Sequence, residues 1–282
     1  MGMKIQTATA YGQSKEVGIY ALASVVNALA AEGVTSPVVQ MRIMIPPYAY
    51  KSRIHTMEKL MKKACEGRGI LLQDIRSERN NVITQSMVVV TGCGEVSCEN
   101  VKAASAKDIV LTKWIGMEGM LRILDEKEAQ LKTRFSTSFL KKMSVYKSQV
   151  FAQKEIELAR QNGVNKIYQI GDGGVFAGLW NLAKELECGL EIDLKKIPVL
   201  QETVEVCEFF RLNPYQLTSA GAMFMLAEDG EKLVECMNEQ GIPVVMIGKL
   251  TDNNDKILRN GEEVRYIDRP APDEIMKIFE NE

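Results

Sequence analysis

A chain of 282 residues, 46% hydrophobic and 26% charged, can bury a sizeable core as one large or two ordinary domains. Its formal net charge of −2 carries no basic excess, which removes electrostatic support for a nucleic-acid or membrane-surface role. The single histidine, His55, excludes a histidine-rich metal site and a Ser-His-Asp triad. The six cysteines, Cys65, Cys93, Cys98, Cys188, Cys207 and Cys236, form no C-x-x-C pair and read as ordinary reduced thiols.

Residues 4–9 alternate weakly and can pair as a strand. Residues 17–31 read as a helix that is apolar nearly all round, ended by Gly33, and are expected between layers. The apolar part of that helix is too short to span a bilayer and the start of the chain lacks a signal-peptide pattern, so the cytoplasm is the expected compartment. In residues 38–45, Val39, Met41, Ile43 and Ile45 share one face of a strand, and Gln40 and Arg42 the wetter one. Pro46 and Pro47 stop it. A helix at 52–66 follows, striped by Ile54, Met57, Leu60, Met61 and Ala64, its methionines read as core. Strands at 70–75 and 82–91, joined by a polar turn at 79–81, complete a β-α-β-α-β-β first domain. Residues 92–107 lack periodicity and form the expected linker, with domains at 1–104 and 105–282.

The second half opens with a strand at 108–114, a helix at 117–131 marked by Gly116, and an expected longer helix at 144–161. A strand at 166–170 and a helix at 175–186, with Phe176, Leu179, Trp180, Ala183 and Leu186 at helical spacing, flank a turn containing Gly171, Gly173 and Gly174. Strands at 190–193, 223–227 and 243–247 and helices at 202–210 and 230–240 follow. Asn260 and Gly261 mark a hairpin between 256–258 and 263–267, and a short helix at 273–279 lies behind Pro272. The expected architecture is α/β (α+β), two domains with helices laid on mixed or antiparallel sheets.

The turn at 171–174 ends a strand and starts a helix, so unpaired backbone N–H groups and the helix dipole there favour an anion, and glycines let a phosphate come close. The plainer reading is a tight turn with no ligand. Lys113, at a strand end before Gly116, is a lesser candidate to face an anion. Trp114 and Trp180 read as core or domain-interface aromatics, and the pairs Lys141, Lys142 and Lys195, Lys196 as solvated faces.

Gln-Ile-Gly-Asp-Gly-Gly at 169–174, an acidic strand at 190–193, Ile197 with Pro198, Cys207 with Glu208, and Ser-Ala-Gly at 219–221 follow one another in that order. That order resembles the AIR synthase (PurM-like) superfamily, nearest its hydrogenase-maturation branch, the HypE-like proteins, over most of residues 17–270. The resemblance implies a two-domain PurM-like fold with an N-terminal domain shortened at its start, since the family's opening glycine-rich segment has no counterpart here. It implies homodimerisation through the first-domain sheets. It also implies ATP with several Mg²⁺ ions, used to phosphorylate an amide or acyl oxygen, in a site where the first domain faces the Gly-Gly turn.

Mg²⁺ needs oxygen ligands, chiefly carboxylates and phosphates. Where the family carries acidic or Asn-Asp positions, this chain has 7–9 without an aspartate, Asn27 followed by Ala28, Asp74 as the one survivor of another turn, and Gln169 in place of the motif aspartate. Asp172 stands where the family often has arginine. HypE-like proteins end in a cysteine that carries the group to be dehydrated, whereas the last cysteine here is Cys236. Two readings remain open. One is a non-catalytic dimeric scaffold or small-anion binder with a degenerate ATP–Mg site, no certain cofactor and no metal. The other is an ATP- and Mg²⁺-dependent enzyme of the PurM/HypE type with a rebuilt site. The candidate ligand residues are Asn27, Asp74, Asp172, Gly173 and Gly174. Neither nucleic acid nor membrane is an expected partner.

Overall fold

Strand β1 (Met3–Gly12), helix α1 (Val17–Ala31), β2 (Val38–Ile45), α2 (Lys51–Glu66), β3 (Leu71–Arg79) and β4 (Ser86–Glu95) build the first unit of this computed structural model, which describes residues 2–96 and 107–279. Its four strands form one mixed sheet in the order β1-β4-β2-β3, with β4 antiparallel to both β1 and β2 and β3 parallel to β2. Alternation in β2 sets its two faces: Val39, Met41, Ile43 and Ile45 are buried, whereas Gln40 and Arg42 lie in the open. Strand β4 starts at Ser86 rather than residue 82, because pairing with β1 begins there, opposite Gly12, and Val82 is left exposed in the preceding loop. Glycines 92 and 94, expected in the linker, belong to β4. Residues 97–106 of the expected linker, with Cys98 and the 104/105 boundary, lie outside the described residues.

The second unit runs β5 (Asp108–Thr112), α3 (Met117–Leu131), α4 (Thr137–Ser144), α5 (Gln153–Gln161), β6 (Lys166–Gln169), α6 (Gly174–Glu185), β7 (Gly189–Asp193), α7 (Gln201–Phe210), β8 (Met223–Ala227), α8 (Gly230–Glu239), β9 (Val244–Thr251), β10 (Lys256–Asn260) and β11 (Glu263–Tyr266). A final 3₁₀ turn spans Glu274–Ile278. The seven strands follow the order β11-β10-β7-β9-β5-β8-β6, antiparallel except for the parallel pair β7 and β10. At the hairpin tip Asn260 pairs with Glu263, and Gly261 takes the left-handed conformation (φ 68°) that such a two-residue loop requires.

The single long helix expected at 144–161 is instead α4, a 3₁₀ stretch Val145–Val150, an extended residue at Phe151, and α5. The break has a local cause. The carbonyls of Gln149 and Phe151 accept from the Lys113 ammonium at 2.7 and 2.8 Å, and that of Val150 accepts from the Asn27 amide at 2.8 Å. Side chains therefore take acceptors that a continuous helix would use for its own N–H groups.

Helix α1 is buried on most sides because it lies between its own sheet and the second unit, in contact with β1, β4, β6 and α5. One apolar cluster accordingly joins the two units, running from α1, β2 and α2 to α3, α7, Ile275 and Ile278. Trp114 packs against this cluster, edge-on to Tyr146 at 5.5 Å, while Trp180 packs on the second unit's own core beneath the Lys256 ammonium. Among the described residues no helix is long and apolar enough to cross a membrane.

Candidate functional site

Four charged residues of α3, Glu118, Arg122, Asp125 and Glu126, recur at helical spacing and fall on one face. That face is turned inward. At its start the Glu118 carboxylate, fully buried, accepts from the Thr218 hydroxyl at 2.7 Å and the Ala220 N–H at 2.8 Å, fixing the loop at 218–221. At its other end Glu126 accepts from the backbone N–H groups of Gln13 and Ser14 at 2.5 and 2.8 Å, and Asp125 from the Tyr20 hydroxyl at 2.6 Å and the Lys147 ammonium at 2.7 Å. Burial raises the pKa of all three carboxyls above their usual range, with Arg122 or Lys147 pulling the other way. One helix face thus clasps the β1–α1 loop of the first unit and the 218–221 loop of the second.

Arg122 sits mid-clasp, 5% exposed, its guanidinium 5.4 Å from the centre of the Tyr11 ring and its nearest carboxylate contact, Glu118, at 3.8 Å. Its Nη2 is buried with no hydrogen-bond partner among the described residues. A buried guanidinium N–H left unpaired is costly, and it is a ready donor to one oxygen of a small ligand.

The glycine turn forms the opposite wall. Gly173 and Gly174 hold positive φ angles of 76° and 67°, and a Cβ at Gly174 would stand 2.5 Å from the Tyr215 carbonyl oxygen. Close packing against the 213–217 loop therefore requires glycine there before any ligand is considered. The N–H of Gly173, at the start of α6, donates at 2.6 Å to the carboxylate of Asp273. The same carboxylate accepts from Ile275 at 2.8 Å and Thr218 at 3.2 Å. The chain's own C-terminal segment thus supplies an anion to this helix start, the position the dipole favours. Burial raises the pKa of Asp273, the three N–H donors work against it, and neighbouring Asp172 adds to the rise.

Of the sequence candidates, the structure brings Asp172, Gly173 and Gly174 together, with Asp172 exposed and acting electrostatically on Tyr11, Glu118 and Asp273. Asn27 and Asp74 lie elsewhere. Asn27 is fully buried on α1, its amide donating to the Val150 carbonyl at 2.8 Å and accepting from the Ala152 N–H at 2.9 Å, so both ends serve as an internal brace. Asp74 stands on the outer face of the first sheet, paired with Arg76 at 2.8 Å. Lys113 faces no open anion site: buried at the end of β5, it pairs with Glu155 at 2.9 Å, and burial lowers its pKa against the pull of that carboxylate. Gln169 donates to the Ser24 carbonyl at 3.0 Å, a further link between units. Sequence reading missed Arg122, Glu118, Tyr11 and Asp273; the available signal was the four-residue step from Glu118 to Arg122 in the otherwise apolar first half of α3.

Among the described residues no three His, Cys, Asp or Glu side chains converge as a metal site; the Asn27 amide is spent at both ends on protein partners, whereas Gln169 donates through Nε2 and its buried Oε1 has no partner among the described residues. The unpartnered Nη2 of Arg122 can donate to one ligand oxygen, and Asp172 and Asp273, which act electrostatically on the neighbouring Tyr11, oppose a polyanion there.

The description "AIR synthase related protein, C-terminal domain" matches residues 109–259. The chain belongs to this family. A Methanocaldococcus jannaschii protein named for hydrogenase expression and formation is 21% identical over 274 residues, covering 93% of this chain and 79% of that protein. Among solved structures, HypE, a hydrogenase maturation protein, in its complex with ATP superposes with a TM-score of 0.78 at 14% identity, covering 98% of this chain and 87% of the other. The HypE–HypF complex gives 0.74 at 18%, covering 95% and 90%. The AIR synthase-related chain therefore has the mixed-sheet PurM-like fold of the HypE proteins, as the ordered motifs implied.

Proposed function

We propose that this AIR synthase-related protein, with domains 1–104 and 105–282 and a degenerate ATP–Mg²⁺ site, is a non-catalytic, dimeric scaffold of the cytoplasm or a small-anion binder. One observation carries the reading: the Gly173 N–H at the helix start is already bonded to the carboxylate of Asp273. A phosphate at that turn would have to displace a built-in anion and then lie beside Asp172, while Arg122, already 3.8 Å from Glu118 through Nη1, has only Nη2 without a partner among the described residues. Dimerisation is supported by the outer face of the first sheet, where Met3, Ile5 and Leu71 are 65%, 63% and 63% exposed, more apolar surface at one sheet end than an isolated monomer gains from leaving bare. Light scattering tests it: the expected mass is that of a dimer, and a monomer mass at micromolar concentration removes the proposal.

The competing reading is an ATP-dependent enzyme of the PurM/HypE type that phosphorylates or dehydrates an amide or acyl group. What favours it is the fold match, over nearly the whole chain, to HypE in complex with ATP. Calorimetric titration with a non-hydrolysable ATP analogue, with and without Mg²⁺, separates the two. No metal-dependent heat is expected; binding at about micromolar affinity that requires Mg²⁺ would establish the enzyme reading instead.

A further inference from the structure

On the far side of the Gly173 turn the β10–β11 hairpin, the start of α6 and residues 268–271 enclose a second cavity of about 180 Å³. Its walls are mixed: apolar side chains share the lining with Gln216, Arg265, Tyr266, Asp268 and Arg269. Phe176 lies flat against Tyr215 (centroids 5.2 Å apart, planes 8° apart), so its ring is held in place, and Ala177, Leu194 and Leu258 line the interior. Tyr266, 64% exposed, stands at the mouth. The volume slightly exceeds that of a protein cavity known to take benzene, about 150 Å³.

The rim supplies charge. Arg269 has no carboxylate partner among the described residues, while Arg265, also on the rim, is already paired with Glu263 at 2.6 Å. One fixed aromatic ring with Ala177, Leu194 and Leu258 beside it, and one uncommitted guanidinium, Arg269, in the lining, match an amphipathic ligand: a flat apolar body and a carboxylate. We propose that this cavity is a binding site for a small aromatic carboxylate, its ring stacked near Phe176 and its carboxylate on Arg269. The site is separate from the Arg122 clasp. It shares a wall with Gly173 and Ala271, two residues before Asp273, so a bound ring touches the segment that caps α6.

Phenylacetate is the probe and neutral phenylacetamide the control, titrated into the full ¹⁵N-labelled chain and followed by amide chemical shifts. The expected result is saturable shifts confined to residues 173–177 and 265–271, with a dissociation constant below about 1 mM for phenylacetate and at least about tenfold weaker binding of phenylacetamide. Arg269→Ala, an exposed change that leaves the interior intact, should weaken phenylacetate about tenfold. Gln216→Trp, at a lining position whose side chain has no hydrogen-bond partner among the described residues, should abolish binding by filling the space. No saturation up to about 20 mM, equal binding of the amide, or shifts centred elsewhere would each overturn the proposal.

Discussion

The interdomain clasp and the outer face of the first sheet are both rich in charge, yet the two use it in opposite ways. In the clasp the charged groups are buried and committed: Glu118, Asp125, Glu126 and Asp273 each hold backbone or side-chain donors from another part of the chain. On the sheet Asp74, Arg76, Arg42 and Glu78 pair with one another in water, at 2.8 Å for Asp74 with Arg76 and 3.8 Å for Arg42 with Glu78. Desolvation makes a buried polar group costly unless it is satisfied, so the clasp stabilises one arrangement of the two units, whereas exposed pairs are nearly free to exchange partners. The lesson is that a polar residue at a candidate ligand position can serve architecture instead. Asn27 is the example, since both ends of its amide bind the 150–152 backbone.

The largest separation between the two regions should come from Lys113. Replacing it by methionine strands the 7% exposed Glu155 carboxylate and two carbonyls, and should cost about 3–5 kcal/mol in urea denaturation. Combining it with Glu155→Gln should restore part of the loss, and strict additivity would show that the pair is not coupled. Asn27→Ala should cost about 2–3 kcal/mol by leaving the Val150 carbonyl and Ala152 N–H buried without partners. A loss within error would place Asn27 nearer the exposed class.

Asp273→Asn comes next, at about 1–2 kcal/mol near neutral pH, because the amide cannot accept all three N–H groups. Its pH dependence has a definite sign. Burial raises the folded-state pKa above the unfolded value, so the ionised form is the disfavoured one in the fold. The titration contribution of Asp273 is present in full below the unfolded pKa and is lost as pH rises through the folded pKa. Wild type should therefore gain stability relative to the variant as pH falls from neutral toward about 4, and a gap that shrinks on acidification would contradict the assigned environment. At the small end, Asp74→Ala removes an exposed pair and should change stability by less than about 0.5 kcal/mol, a change that salt erases.

Much of the fold was legible because its strongest signals are local. The 17–31 and 117–131 helices, the faces of β2 and the Asn260-Gly261 hairpin follow from periodicity and turn chemistry, and they agree with α1, α3, β2 and β10–β11. What spacing could not show was long-range. The break in the 144–161 stretch depends on Lys113 and Asn27 reaching its carbonyls from far away in the chain, and the start of β4 depends on its register with β1. The site divides in the same way. Gly173 and Gly174 announce a turn locally, whereas Asp273 arrives on that turn from 100 residues downstream, and Arg122 becomes notable only once its surroundings close over it.

The cysteines give a similar contrast at lower stakes. Cys207 on α7 is buried, which pushes its thiol up to about 12, and Cys65 on α2 is raised to about 11. Both should resist alkylation by iodoacetamide in the folded chain, and rapid modification of either under native conditions would show that the shared core opens.

The central claim is that the helix start at Gly173 is occupied by the chain's own carboxylate. The most direct measurement is a crystal structure of the full chain grown with a non-hydrolysable ATP analogue and Mg²⁺. The expected electron density shows Asp273 still bonded to the Gly173 N–H and no ordered triphosphate at the turn. Nucleotide and magnesium ordered together between the two units, with Asp273 displaced, would contradict it.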